Sequence, residues 1–199
     1  VQVPHISNFD DFDLLAREPG VLLRYVSSPL DLGRPDLLIL PGTKTTIPDL
    51  AWMNTQGLSA AIQGLHREGV AMIGICGGYQ MLGARVCDPE RIESSMGEID
   101  GLGLLPITTI FSGGKETHRI KGRVTHDEGL LTGARGAEII GYEIHMGRTT
   151  TPDERPPAGG EAPFLIEERS GEAAAETSPA DGSMDPTGRV MGTYIHGLF

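Results

Sequence analysis

The chain has 199 residues, with 16 Lys and Arg against 27 Asp and Glu and a net charge of −11. That balance argues against a nucleic-acid surface, which needs clustered basic side chains. A hydrophobic content of 39% with 22% charged residues fits one globular domain with a substantial core, and no apolar run approaches the ~20 residues of a membrane-spanning helix.

Two cysteines make no disulfide framework, and a reducing, cytoplasmic setting is the expectation. No basic leader precedes the first apolar run. The sequence opens on Val1 rather than Met and closes at Phe199 on a strand-like run; it reads as a segment of a longer protein.

In chain order, Val1 to Ile6 predicts a strand. Ser7 or Asn8 then offers a cap for a helix with an acidic first turn, Asp10-Asp11, as the helix dipole prefers. Pro19-Gly20 ends it, and Val21 to Val26 predicts a second strand. Asp36 to Leu40 is a third, continuously apolar as in a sheet covered on both faces. After it comes Pro41-Gly42-Thr43-Lys44-Thr45-Thr46, a loop where open α/β sheets bind ligands. An amide near Gly42 could face an oxyanion there, and the spacing of a phosphate-binding loop is missing. Pro48 to Met53 and Leu58 to Arg67 carry apolar residues at helical spacing.

Val70 to Ile75 predicts a buried parallel strand. Cys76-Gly77-Gly78 follows, then a helix start at Tyr79-Gln80-Met81-Leu82. A strand turning sharply into a helix exposes its turn residue, the geometry of a nucleophile elbow. Two glycines suit a turn with no room for Cβ atoms, and the helix N-terminus favours negative charge at the sulfur. A lone cysteine is more often inert core; this context makes Cys76 a candidate nucleophile, whereas Cys87 reads as packing or surface.

Beyond Gly83 come five strand-like runs without a convincing helix: Leu102 to Phe111, Arg119 to His126, Ile139 to Met146, Phe164 to Glu168 and Arg189 to His196. They predict hairpins or a small mixed sheet flanking the parallel one. The Pro-, Gly-, Ala- and Glu-rich tract 170–188 has almost nothing to bury and reads as a solvated, mobile loop. His196 ends the last strand beside Gly197. A lone His there would usually be structural, but with an elbow cysteine it becomes the natural general base.

Five segments, taken together, are specific: I-S-N-F-D-D-F-D at 6–13, L-P-G-T-K-T-T-I-P-D-L at 40–50, G-I-C-G-G-Y-Q-M-L-G at 74–83, G-Y-E-I-H-M-G at 141–147 and Y-I-H-G-L-F at 194–199. Through them the chain resembles the glutaminase domains of class I, triad-type glutamine amidotransferases, and within these the cobyric acid synthase branch. The resemblance implies an α/β, flavodoxin-like fold over residues 1–199: a mainly parallel sheet with helices on both faces and extra antiparallel strands in the C-terminal half. It implies that Cys76 attacks the glutamine amide, with His196 as its base. Amides of Gly42 and Gly77 would form the oxyanion hole, and Gln80 and the backbone at His145, Met146 and Gly147 would hold the glutamine.

Many such enzymes place a Glu two residues after the histidine to orient it; here that residue is Leu198. Glu143 is the nearest candidate for the missing orienter, with a backbone carbonyl or a bare Cys–His dyad as alternatives. No metal or cofactor is expected in this domain. The resemblance implies a separate N-terminal synthetase domain of the same chain, using ATP and magnesium to activate corrin carboxylates for ammonia made here. Related glutaminases, of cobyrinic acid a,c-diamide synthases and of lipid II amidating complexes, are the alternatives, together with a non-catalytic domain of the same fold.

Overall fold

A computed structural model describes residues 1–152, 162–170, 172–173 and 180–199. Its elements, in order, are β1 (Leu37–Leu40), α1 (Thr46–Thr55), α2 (Leu58–Arg67), β2 (Ala71–Ile75), α3 (Gly77–Leu82), β3 (Arg85–Cys87), β4 (Glu98–Asp100), β5 (Thr108–Val124), β6 (Glu138–Thr150), β7 (Phe164–Arg169), β8 (Glu172–Ala173), β9 (Ala180–Asp181), β10 (Ser183–Met184), β11 (Val190–Thr193) and β12 (Ile195–His196).

Two sheets result. The central one runs β1-β2-β11-β10, with its first three strands parallel. The larger is mostly antiparallel, in the order β12-β6-β5-β3-β4, with β7 also pairing β5. Strand alternation sorts the core into two layers. Leu38, Leu40, Met72 and Val190 face Leu50, Met53, Ile62, Tyr79 and Leu82 of the helices. Ile73, Ile75 and Met191 face Ile120, Val124, Phe164, Ile166 and Ile195 of the second sheet. Helices therefore cover one face of the parallel sheet. The other face, where helices were also expected, is closed by the apolar side of β5, β7 and β12.

Residues 1–31 depart most from the expectation. Val1 to Ile6 and Val21 to Val26 belong to no ladder: a turn at Pro4-His5, closed by Ile6 N to Val3 O at 3.3 Å, breaks the first, and single bonds tie them, Val1 N to Ile39 O at 2.7 Å and Gln2 N to Val26 O at 2.8 Å. In place of a capped helix, two 3₁₀ turns form at Phe9–Phe12 and Leu15–Arg17, and Asn8 takes a left-handed φ of 54°. Asp11 and Phe12 turn inward there and are buried.

Two of the later runs fuse. Leu102 to Phe111 and Arg119 to His126 are mostly one long strand, β5, whose register against β6 shifts between Ile110 and Lys115. The last run splits instead. β11 belongs to the parallel sheet and β12 to the antiparallel one, with Tyr194 at the corner between them. The buried Asp181 carboxylate holds that corner, accepting from the Tyr194 amide at 3.2 Å and from the Thr193 hydroxyl. The expected loop at 170–188 is thus corrected over its last part: β9 and β10 bury Asp181, which holds the corner, and Ser183, whose hydroxyl meets Tyr79 Oη at 2.7 Å. Residues 171 and 174–179 of that loop lie outside the described residues. Among the described residues no helix is long and apolar enough to cross a membrane.

Candidate active site

β2 runs straight into α3 through Cys76, whose φ of 53° and ψ of −110° lie in strained territory for a residue with a side chain. The glycines after it permit the turn. A Cβ on Gly78 would sit 2.1 Å from Leu40 O, and one on Gly77 would sit 2.6 Å from Thr43 Cγ2 and 3.2 Å from the Thr43 amide nitrogen. The elbow is therefore pressed against the β1–α1 loop, and Cys76 stands partly exposed at its tip. Its thiol donates to Ile144 O of β6 at 3.2 Å.

His196 comes to the same place from β12 and is fully buried. It lies beside Cys76: the place of a Gly42 Cβ is 3.1 Å from His196 Cε1 and 3.8 Å from Cys76 Cβ. The ring stacks on Tyr142, centroids 5.1 Å apart and planes 12° apart. Its Nδ1 meets Asp11 Oδ2 at 2.6 Å, and the other Asp11 oxygen accepts the Gly197 amide at 2.9 Å. Asp11 thus fixes both the ring and the backbone beside it. Asn8 adds its amide nitrogen 3.1 and 3.3 Å from the two ring nitrogens.

Glu143, the expected orienter, is elsewhere. It is buried and ion-paired to Arg169, at 2.9 Å from Nε and 3.2 Å from Nη2. The β12–β6 register explains this: Tyr142 lies opposite His196, and Glu143 opposite Ile195. Directly opposed residues share a face of a sheet, so Glu143 points away from the histidine.

Burial lowers the His196 pKa, but the Asp11 and Cys76 hydrogen bonds and the negative charges of both outweigh it, lifting the group from 6.5 to about 9. A folded-state pKa above the unfolded one contributes stability that is complete below the unfolded value and lost as pH rises through the folded one. Unfolding free energy should therefore fall by on the order of 3 kcal/mol between pH 6.5 and about 9. Asp11→Asn should flatten that slope in denaturant titrations at several pH values; an equal slope in the variant would disprove the coupling.

A cavity of about 310 Å³ opens beside the sulfur, lined among others by Asn8, Thr43, Lys44, Gln80, Glu93 and Met146. Gln80 is buried and fully engaged: its amide donates to Met146 O at 3.0 Å and Tyr194 Oη at 3.2 Å, and its oxygen accepts Thr46 Oγ1 at 2.8 Å. It ties α3 to the β6 backbone rather than offering free donors. His145 stacks on Tyr194, with centroids 4.0 Å apart. Gly147, with φ of 88°, bends β6 against Phe111. Glu93 caps α1, taking the Thr46 and Ile47 amides at 2.8 and 2.9 Å. Burial pushes its pKa up. Glu93 and Lys44 bring opposite charges to the cavity, and sequence reasoning assigned neither a role. Asp11 and Asn8 were also missed; their signal was the 6–13 segment, read as a helix cap. Among the described residues no group of three or more His, Cys, Asp or Glu could hold a metal ion.

The profile of the CobB/CobQ-like glutamine amidotransferase domain matches residues 1–199. The chain is 48% identical over 198 residues to a cobyric acid synthase of Moorella thermoacetica, covering all of this chain and 37% of that protein. It is 44% identical over 199 residues to one of Dehalococcoides mccartyi, again covering all of this chain and 38% of the relative. It thus spans little more than a third of the length of these relatives. Among solved structures, PurLQS of Thermotoga maritima superposes with a TM-score of 0.70 at 20% identity, over 98% of this chain and 84% of that one. A glutamine amidotransferase of the same organism gives 0.53 at 16%, over 94% and 67%. These two share the fold.

Proposed function

Because this chain belongs to the CobB/CobQ-like glutamine amidotransferase domain family, we propose that it hydrolyses glutamine to glutamate and ammonia at a Cys76–His196–Asp11 triad. The observation that carries this is the buried His196 held between a carboxylate and an elbow cysteine.

The sulfur attacks the side-chain amide carbon of glutamine, and its proton goes to His196. Amides of Gly77 and of Gly42 or Thr43 receive the oxyanion. Imidazolium passes the proton to the departing nitrogen, the C–N bond breaks, ammonia leaves, and a γ-glutamyl thioester remains on Cys76. A water that gives its proton to His196 attacks the thioester, releasing glutamate and the free thiol. Asp11 keeps the ring in one orientation and stabilises its positive form throughout. A zwitterionic substrate suits a cavity with Glu93 for an ammonium and Lys44 for a carboxylate. The β6 backbone at His145, Met146 and Gly147 would hold the substrate's α-amino and α-carboxylate groups, and Gln80 fixes the Met146 carbonyl within it. Cofactors are no part of this chemistry.

The ammonia serves an ATP- and magnesium-dependent synthetase carried by the rest of a longer cytoplasmic chain, which amidates corrin carboxylates in cobalamin biosynthesis. Support for this comes from the cobyric acid synthase relatives and the fraction of their length matched here. Quenching the protein during turnover of isotope-labelled glutamine and mapping the label by mass spectrometry tests the site. A γ-glutamyl adduct on the Cys76 peptide is expected; steady glutamate release with no adduct there, under conditions that trap thioesters, would refute it.

A further inference from the structure

Asp49 sits in α1 with its side chain wholly buried, and its partners lie outside the helix. Oδ1 is 2.7 Å from His5 Nδ1. Oδ2 accepts the His5 amide at 3.2 Å and the Thr43 hydroxyl at 2.5 Å. Thr43 Oγ1 also accepts the Thr45 amide at 3.2 Å. The carboxylate therefore joins three pieces of chain: α1, the N-terminal segment and the β1–α1 loop.

The last two are zipped together beside it. Ser7 N donates to Gly42 O at 2.9 Å, Lys44 N to His5 O at 3.1 Å, and Ile6 and Thr43 form one isolated bridge. Neither segment belongs to a helix or a ladder; Val1 and Val3 anchor the start of the first to β1 and the core, and near the site these bonds set how the two segments meet. Each carries part of the site. The loop brings the Thr43 amide to 3.2 Å from where a Gly77 Cβ would lie, and the N-terminal segment leads directly into Asn8 and Asp11 at His196. An apolar side chain would pack α1 as well. A buried carboxylate is costly unless it is hydrogen-bonded, and charged acceptors make the stronger bonds.

From these contacts we propose that Asp49 is a positioning residue of the glutaminase: by tying His5 and Thr43 to α1, it sets the oxyanion-hole amide against the Cys76 sulfur. This rests on the glutaminase reading. Oxyanion donors act in the transition state, so displacing one lowers kcat and leaves KM nearly unchanged. Alkylation of a thiol by iodoacetamide builds no oxyanion and should not respond.

The test compares wild type, Asp49→Asn, Thr43→Val and the double variant, in the longest chain that is produced. Glutamine turnover is read beside the alkylation rate of the Cys76 peptide. Asp49→Asn should lose about 10- to 10²-fold in kcat, with KM within about threefold and alkylation within about twofold of wild type. Thr43→Val should fall in the same direction, and the double variant should be little worse than Asp49→Asn alone, because both cut one link. Wild-type kcat in either folded single variant overturns the proposal. So does a parallel fall in hydrolysis and alkylation, which means general damage to the site. Should Asp49→Asn not fold, Thr43→Val decides by the same criteria. A wild-type protein that forms no glutamate refutes the glutaminase reading instead. Hydrogen exchange at the Thr43 amide then decides about Asp49, with faster exchange in Thr43→Val or Asp49→Asn expected and equal exchange overturning it.

Discussion

Asp11→Asn should lower glutamine hydrolysis by about 10³- to 10⁴-fold, the size of effect seen when the acid of a Ser-His-Asp triad is replaced in the same way. The carboxylate meets His196 Nδ1 at 2.6 Å inside a buried pocket. An asparagine can turn its NH₂ toward that nitrogen, which then accepts, and the ring hydrogen moves to Nε2. A neutral ring of that tautomer presents a hydrogen where the thiol proton must arrive. The variant also removes the charge that lifts the imidazole pKa, so the acid form that protonates departing ammonia becomes scarce. The fold should survive, because the side chain keeps its shape and an oxygen for the Gly197 amide. Glu143→Gln is the contrasting control. It breaks a buried pair with Arg169 and should reduce stability by up to about 3 kcal/mol with turnover within about threefold of wild type. Reversed results for the two variants in glutaminase and thermal-unfolding assays would return the orienting role to Glu143.

Cys76→Ser should remove glutamine-dependent turnover almost entirely, by about 10⁴-fold or more. A serine hydroxyl at the elbow keeps the geometry but is a far weaker nucleophile next to the same imidazole. Amidation driven by added ammonia in the longer synthase should persist, because free ammonia bypasses this site. Retention of glutamine-dependent activity in Cys76→Ser would disprove the nucleophile. Cys87→Ser should stay within about twofold of wild type. Cys87 lies on β3, and burial with nearby Glu98 pushes its thiol up, away from the reactive form.

The parallel core was legible because its strands and helices announce themselves locally. Leu37–Leu40 and Ala71–Ile75 are continuous apolar runs, α2 has apolar residues at helical spacing, and Cys-Gly-Gly after a strand has few other uses. What was not legible depends on partners far away in sequence. Val1 to Ile6 looks like a strand by composition, yet a strand needs a neighbour, and β1 and the loop after it offer only scattered bonds. Asp10 and Asp11 look like dipole-matched residues of a first turn. Nothing within ten residues of Asp11 reveals that its oxygens face residues 196 and 197. The Glu143 expectation failed on parity. Alternation placed it on a face with His145, but which face His196 shares is set by the register of β12, and that register pairs His196 with Tyr142.

The proposed triad is drawn from positions 11, 76 and 196, and the ring centroids of Phe12 and Phe199 lie 6.4 Å apart. Contacts this distant in sequence close late, after the local elements have formed. During synthesis Asp11 and the elbow with its sulfur leave the ribosome well before residue 196, so a nascent chain holds the acid and the nucleophile without the base that joins them. On the proposed mechanism, glutamine hydrolysis would wait for β12 to dock, and a polypeptide not yet extended to His196 would release no ammonia.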